Sequence, residues 1–127
     1  MGDRLLLDTH IVLWSMFGDV RLTSKTTSAI LAADDVFVSA ASAWEAQIKA
    51  GLGKLELPEC FAEGVRKSGF QELPVHFHHT QQLAHLPALH RDPFDRLLVA
   101  TAMADGLTLV SADAKILAYP GSLLDAR

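Results

Sequence analysis

Residues 92–113, DPFDRLLVATAMADGLTLVSAD, decide the fold class of this chain. The Asp-Pro pair at the start is typical of a helix N-cap followed by proline in the first turn, and Gly106 is typical of a residue that ends a helix. The pattern therefore predicts a helix over Pro93–Asp105, and its leucine, valine and alanine side chains indicate that this helix is largely buried. Leu107–Val110 predicts a short buried strand, and an acid, Asp113, follows it.

Helices and strands alternate outward from this stretch. Short apolar runs predict further strands at Leu5–Leu7, Val36–Val38, Phe70–Val75 and Leu123–Leu124, the last at a sheet edge. Capping residues and glycine stops predict the remaining helices. Two are recognised by their starts: Thr23 or Ser24 begins one, and a capping box of Ser42 and Glu45 opens another, which ends near Ala50. The others are predicted over Thr9–Phe17, Pro58–Lys67, His78–Leu86 and Asp113–Leu117. This alternation indicates an α/β fold with a parallel sheet covered by helices on both faces.

The composition limits the class of protein. The chain has 127 residues, 50% hydrophobic and 20% charged, which predicts one domain over residues 1–127 with a substantial core. With 15 acidic residues against 11 basic ones, the net charge is −4. This balance argues against a protein that holds nucleic acid by bulk positive charge.

The single cysteine and the start of the sequence bear on location. Cys60 alone excludes a disulfide framework and a cysteine-rich zinc site, and we expect it to be a buried or half-buried apolar residue. A free thiol favours a reducing compartment, so we expect a cytoplasmic protein. The first ten residues, MGDRLLLDTH, lack the apolar stretch of a signal peptide, and the longest apolar runs are too short to span a bilayer, so no membrane partner is expected.

Acidic residues follow the predicted strands or begin the predicted helices. Asp8 ends the first strand, and Asp113 lies beyond the last clear strand. Glu45 begins the helix after the second strand, and Asp92 and Asp95 open the helix that precedes the last clear strand. A parallel sheet brings such positions to one edge. Because clustered carboxylates repel one another, they require a positive charge between them. Oxygen ligands alone are typical of a Mg²⁺ or Mn²⁺ site.

Each acid also has a purely structural explanation. Asp92 and Asp113 are good helix N-caps, Glu45 completes a capping box, and Asp95 stabilises a helix dipole. Asp8 is the hardest to explain in this way, since a solitary charge after three leucines is costly. The joint placement of the acids is therefore the signal, and no single acid carries it.

Three motifs together resemble the PIN-domain family. They are LLLDTHIVLW, SAASAWEAQIKAGLGKL and HRDPFDRLLVATAMADGLTLVSAD, and the likeness is greatest to the VapC-type toxins of bacterial toxin–antitoxin pairs. The resemblance implies a three-layer α/β sandwich with a central parallel sheet, and metal-dependent endoribonuclease activity on RNA. It also implies a homodimer and a cognate antitoxin whose tail occupies the acidic groove.

The resemblance also implies roles for particular residues. The acidic positions of the family fall on Asp8, Glu45, Asp95 and Asp113, which are then the catalytic residues and the ligands of one or two Mg²⁺ or Mn²⁺ ions. The family's motifs also make Asp92 of DPFD and Ser111 of the Ser-Ala-Asp triplet accessory residues. Independently of the resemblance, Thr9 and Arg96 are accessory candidates, because they directly follow Asp8 and Asp95. One departure is Ala112, which stands where many relatives have a polar residue.

Two other classes of function stay open at this point. A magnesium-dependent phosphoryl-handling α/β domain, such as a phosphatase or a phospho-receiver, also has an aspartate at a strand end. A phosphatase of this kind needs a second acid at position 10, where this chain has His10, and a receiver needs paired acids near the first strand. The other alternative is a non-catalytic binding module of the same fold, for which four clustered acids have no evident purpose.

The aromatic and histidine residues carry weaker signals. Trp14, Trp44 and Phe94 are expected to lie in the core rather than to stack on bases. Five histidines crowd one part of the sequence without a spacing typical of zinc, namely His76, His78, His79, His85 and His90.

Overall fold

The computed structural model describes residues 3–57 and 60–127. Its strands are β1 (Arg4–Leu7), β2 (Asp35–Ser39), β3 (Gln71–Leu73), β4 (Thr108–Ser111) and β5 (Leu123–Asp125). They form one parallel sheet in the order β3-β2-β1-β4-β5. The helices of the described residues are α1 (Thr9–Phe17), α2 (Ser24–Ala32), α3 (Ala40–Gly51), α4 (Phe61–Lys67), α5 (Phe77–Gln82), α6 (Pro93–Asp105) and α7 (Ala114–Leu117), with a 3₁₀ turn at Leu83–His85.

The central strand β1 carries three leucines that form the middle of the core. Leu6 pairs in register with Phe37 of β2 and with Leu109 of β4. Because side chains alternate across a strand, Leu5 and Leu7 join one apolar cluster and Leu6 joins the other. All three leucines are at most 1% exposed, as expected of a strand covered on both faces.

Helices cover the two faces of the sheet. The cluster that contains Leu5 and Leu7 takes side chains from α1, α2, α3 and α4. The cluster around Leu6 takes side chains from α6 and α7, and α5 packs on α6. The predicted α/β sandwich with a central parallel sheet is therefore confirmed. Across the described ranges, no helix has the length and apolarity that a membrane crossing requires.

The stretch that decides the fold class forms the predicted elements. The Oδ1 atom of Asp92 accepts the backbone N–H groups of Phe94 and Asp95 at 2.8 and 3.1 Å, and α6 starts at once. Gly106 ends α6 with φ of 65°, a left-handed conformation that lets the chain turn directly into β4.

The start of α3 differs from the prediction. The Ser39 hydroxyl oxygen accepts the backbone N–H of Ala41 at 3.0 Å, so the helix begins directly after Ser39. Ser42 lies inside the helix, where its oxygen accepts the hydroxyl of Thr9 at 2.9 Å. The predicted capping box of Ser42 and Glu45 is therefore wrong, because a contact between α1 and α3 uses Ser42 instead.

Smaller differences concern the middle of the chain. The helix expected over Pro58–Lys67 begins at Phe61, and the first two residues of that expectation lie outside the described residues. The helix expected over His78–Leu86 is divided into α5 and the 3₁₀ turn. Cys60 is exposed, so its expected burial is wrong.

Replacing Leu98 by alanine is expected to lower the free energy of unfolding by about 2–5 kcal/mol, because it leaves a cavity in the core. Leu98 lies on α6 with no exposed surface and packs in the cluster around Leu6. Urea denaturation followed by circular dichroism measures this loss.

The matched control is Leu31→Ala on α2. Leu31 is 81% exposed, so its loss is expected to change the stability by less than about 0.5 kcal/mol. Equal losses in the two variants would contradict this description of the core.

Candidate active site

The strand order determines where a ligand site is expected. From β1 the chain goes first to β2 on one side and later to β4 on the other side, so the connections diverge between β1 and β4. Clefts at the carboxyl ends of strands that diverge in this way are the usual ligand sites of open α/β sheets. Asp8 follows β1 at this position, and Asp113 follows β4.

Asp8 is held at the end of β1 from two sides. Its Oδ1 atom accepts the backbone N–H of Ile11 at 3.0 Å and so caps α1. Its Oδ2 atom accepts the hydroxyl of Ser111 at 2.5 Å. Asp8 is 2% exposed. Burial raises the pKa of Asp8, and the bonds from Ser111 and Ile11 and the charge of His10 partly oppose that rise.

Ser111 also holds Asp113. The backbone N–H of Asp113 donates to the Ser111 hydroxyl oxygen at 3.0 Å, while that hydroxyl donates to Asp8. The Oδ1 atom of Asp113 accepts the backbone N–H of Lys115 at 2.8 Å and caps α7. One buried hydroxyl therefore sets the position of both acids relative to each other.

Asp95 lies in the first turn of α6 and faces two other acids. Burial is the main reason that the pKa of Asp95 is raised to about 6, and the charges of Asp92 and Glu45 raise it further. A hydrogen bond to His90, 2.8 Å from Nε2 to Oδ2, works in the opposite direction. One potential ligand atom each of His90, Asp95 and Asp113 lies within 4.8 Å of the others.

The proton on His90 can be assigned from its second hydrogen bond. The backbone N–H of Arg91 donates to Nδ1 of His90 at 3.1 Å, so a neutral His90 carries its proton on Nε2. That proton is then donated to Oδ2 of Asp95. His90 therefore positions Asp95, and its Nε2 lone pair is not available to a metal. The sequence predicted no such role for His90, although its place just before the Asp-Pro start of α6 was a usable signal.

Glu45 is the fourth acid and the one least satisfied. It is 6% exposed, and its Oε2 atom pairs with Nζ of Lys49 at 3.2 Å. Its Oε1 atom is buried and has no hydrogen-bond partner among the described residues. Because a buried carboxylate oxygen without a partner is costly, this atom marks a place where a cation fits.

Two of the accessory residues have structural contacts near the acids. Asp92 caps α6 with its Oδ1 atom, as its structural explanation anticipated. Thr9 donates its hydroxyl to Ser42 and so joins the start of α1 to α3, the helix that carries Glu45. These hydrogen bonds of Asp92 and Thr9 hold helices at the edge of the sheet where the acids lie.

Arg96 and Ala112 have contacts with groups other than the acids. The Nη1 atom of Arg96 donates to the Pro87 carbonyl and to the Tyr119 hydroxyl, both at 3.1 Å. Ala112 packs against the apolar cluster of Leu5 and Leu7. Arg96 thus secures the loop before α6, and Ala112 serves the core.

The contacts join the acids into one site. Asp8 and Asp113 share Ser111, Asp113 and Asp95 lie within metal-ligand range, and Glu45 acts electrostatically on Asp95. Helices α1 and α7 begin at their aspartate caps, and the positive ends of the helix dipoles offset part of the repulsion.

This arrangement can be compared with known proteins. A profile of the PIN domain matches residues 5–121. The chain belongs to the PIN-domain family. Ribonuclease VapC22 of Mycobacterium tuberculosis is 31% identical to it over 119 residues, which cover 88% of each protein. The sequence resemblance to this family is thereby confirmed.

Several solved structures share the PIN fold of this chain. VapBC2 from Rickettsia felis, bound to a DNA fragment from its promoter, has a TM-score of 0.74 at 17% identity and covers 97% of this chain and 98% of its own. FitAcB from Neisseria gonorrhoeae has a TM-score of 0.68 at 19% identity, covering 96% and 97%. A toxin–antitoxin complex from Klebsiella pneumoniae has a TM-score of 0.68 at 16% identity, covering 97% and 98%.

Replacing Asp95 by asparagine is expected to stabilise the protein at pH 7 in EDTA, by up to about 3 kcal/mol. The folded pKa of about 6 lies above the ordinary 3.8, so the carboxyl costs stability progressively as pH rises from 3.8 to 6. The gain of the variant should therefore shrink toward pH 4. Urea denaturation at several pH values measures it.

The control variant is Glu63→Gln, which removes a partly exposed ion-pair partner of Arg66 on α4. It should show no comparable gain at pH 7. If Asp95→Asn is less stable than the parent at both pH 7 and pH 4, the raised pKa of Asp95 is contradicted.

Proposed function

We propose that this chain is a metal-dependent endoribonuclease that hydrolyses RNA phosphodiester bonds. Its catalytic and metal-binding residues would be Asp8, Glu45, Asp95 and Asp113. The observation that carries this proposal is the buried Oε1 atom of Glu45, which lacks a partner in the described residues and belongs to the acid cluster. The name of the relative VapC22, a ribonuclease, supports the reaction class.

The donor set fits a hard divalent cation. Every candidate ligand atom is a carboxylate oxygen, because the proton of His90 occupies its Nε2 atom. We propose Mg²⁺ or Mn²⁺, with Asp8 and Asp95 as the principal ligands and with Glu45 and Asp113 completing the site. Such an ion, when bound, lowers the pKa of a bound water and stabilises charge on the scissile phosphate.

The chain itself would supply the fixed geometry of the site. Ser111 holds Asp8 and Asp113 in one arrangement through a single hydroxyl. His90 holds one oxygen of Asp95 and leaves the other oxygen for a ligand. Groups held in this way before the substrate binds need no reorganisation when charge develops on a phosphate.

We propose that the protein acts as the toxin of a toxin–antitoxin pair. Its structural neighbours include VapBC2, FitAcB and a toxin–antitoxin complex, and the last of these supports a protein antitoxin as partner. An arginine of that antitoxin would pair well with the acid cluster. We further propose a homodimer that acts on RNA in the cytoplasm.

The other classes of function have less support. Membership of the PIN-domain family does not support the phosphatase or receiver alternative. In addition, His10 stands where a phosphatase of that type needs its second acid. The remaining alternative, a binding module without catalysis, is distinguished by the activity test below.

Purified protein is expected to cleave RNA with Mg²⁺ or Mn²⁺ and to stop when EDTA is added. Asp8→Asn is expected to reduce the rate roughly 100-fold or more, because it removes a charged ligand. Asparagine still caps a helix, so the fold should persist. Cleavage of labelled RNA measures the rate, and induced expression should arrest growth with the parent protein alone.

Glu63→Gln again serves as the control, since it removes a carboxylate of α4 outside the acid cluster. It should cut RNA as fast as the parent. If Asp8→Asn cuts as fast as Glu63→Gln, the proposed site is wrong. If no variant cuts RNA with either metal, the binding-module alternative is favoured.

Replacing His90 by alanine is expected to weaken Mn²⁺ binding about 10- to 100-fold, as is usual when the partner of a metal ligand is lost. His90 is proposed to hold Asp95 and not the ion, so the variant should still bind Mn²⁺ measurably. Titration followed by electron paramagnetic resonance of free Mn²⁺ measures the affinity.

His85→Ala is the matched control for the histidine. His85 lies in the 3₁₀ turn and is exposed, so its loss should leave Mn²⁺ affinity unchanged. Equal affinities in the two variants would show that Asp95 needs no positioning by His90.

A further inference from the structure

An aromatic pair of exposed Trp44 and half-buried Phe94 lies beside two of the acids in the sequence. Trp44 is 63% exposed, which corrects the expectation that it lies in the core. Its ring meets that of Phe94 edge-on, with centroids 5.0 Å apart and planes at 68°. An indole left this exposed buries little apolar area on folding and stays available for contact with a ligand.

The pair is joined to the site through two helices. Trp44 directly precedes Glu45 on α3, and Phe94 directly precedes Asp95 on α6. Helices α3 and α6 pack against each other, and the Trp44–Phe94 ring contact lies between them. The rings therefore join α3 to α6 within one residue of two proposed ligands.

The charges around the acids limit how RNA can be held there. Lys49 is paired with Glu45, and Arg96 is turned to the Pro87 carbonyl and the Tyr119 hydroxyl. These pairings engage Lys49 and Arg96 before RNA arrives, so part of the RNA binding has to come from other groups. A flat neutral ring suits a nucleobase, and such stacking tolerates any base sequence.

We propose that Trp44, braced by Phe94, is the stacking platform for a base of single-stranded RNA next to the bond that is cut. This inference rests on the proposed ribonuclease function and specifies how its substrate is held. Trp44 is a substrate-binding residue in this scheme. Phe94 acts on the substrate only by fixing the indole, since its edge contact restricts the rotamers of Trp44 before RNA arrives.

Intrinsic fluorescence can report the stacking directly. The chain has two tryptophans, so Trp14→Phe leaves Trp44 as the single reporter. In an Asp8→Asn background, which is expected not to cut, single-stranded RNA oligomers of mixed sequence are added with Mg²⁺. The fluorescence of Trp44 should be quenched as the RNA binds, and the titration provides a dissociation constant.

A second experiment measures the kinetics of RNA cleavage with variants that retain Asp8. Trp44→Ala should raise KM for single-stranded RNA roughly 5- to 150-fold with a smaller change in kcat, and Trp44→Phe should restore much of the loss. The matched control is Ile48→Ala, one turn farther along the same helix and 39% exposed, which should leave KM unchanged.

Two results would contradict the proposal that Trp44 stacks on a base of the RNA. One is an unchanged KM in Trp44→Ala with no quenching of Trp44 in the binding experiment. The other is equal losses in Trp44→Ala and Ile48→Ala together with a changed oligomeric state by light scattering, which would make this face a protein interface. A parent protein that neither binds nor cuts RNA would instead overturn the proposed function itself.

Discussion

The hydroxyl of Ser111 joins the carboxylate of Asp8 to the backbone of Asp113 at the carboxyl ends of the two strands between which the connections diverge. The rest of the site depends on this bond pair. It holds two acids close together although their charges repel, and it does so with a neutral group. Because Leu7 of β1 pairs in register with Val110 of β4, the next residues of the two strands, Asp8 and Ser111, come side by side.

Holding the acids close together without a cation costs free energy. Burial raises the pKa of both Asp8 and Asp95, and one oxygen of Glu45 has no partner in the described part of the chain. Part of this cost is offset because Asp8 and Asp113 also cap helices. The same carboxylates thus cap helices and are proposed to bind the metal. This is why each acid, considered alone, also had a purely structural explanation.

Local signals predicted α6 correctly and α3 only in part. The Asp-Pro start and Gly106 act within a few residues, so they define α6 whatever surrounds it. Two serines compete to start α3, and propensity does not separate them. Ser39 caps the helix, and Ser42 instead accepts the Thr9 hydroxyl of α1, a contact between residues 33 positions apart. The exposure of Trp44 likewise depends on which neighbours reach α3, since apolar residues lie on several sides of that helix.

The α/β class, the nature of the acids and their places at strand ends and helix starts could be predicted without a structure, because strand alternation, caps and turns are local properties of the chain. The sequence also carried the motifs of the PIN-domain family. Only the tertiary structure decided that Ser111 joins Asp8 to Asp113, that His90 donates to Asp95, and that Trp44 stays exposed beside Phe94. These contacts join distant elements or depend on burial, and the free energy of burial belongs to the packed molecule and not to any segment of it.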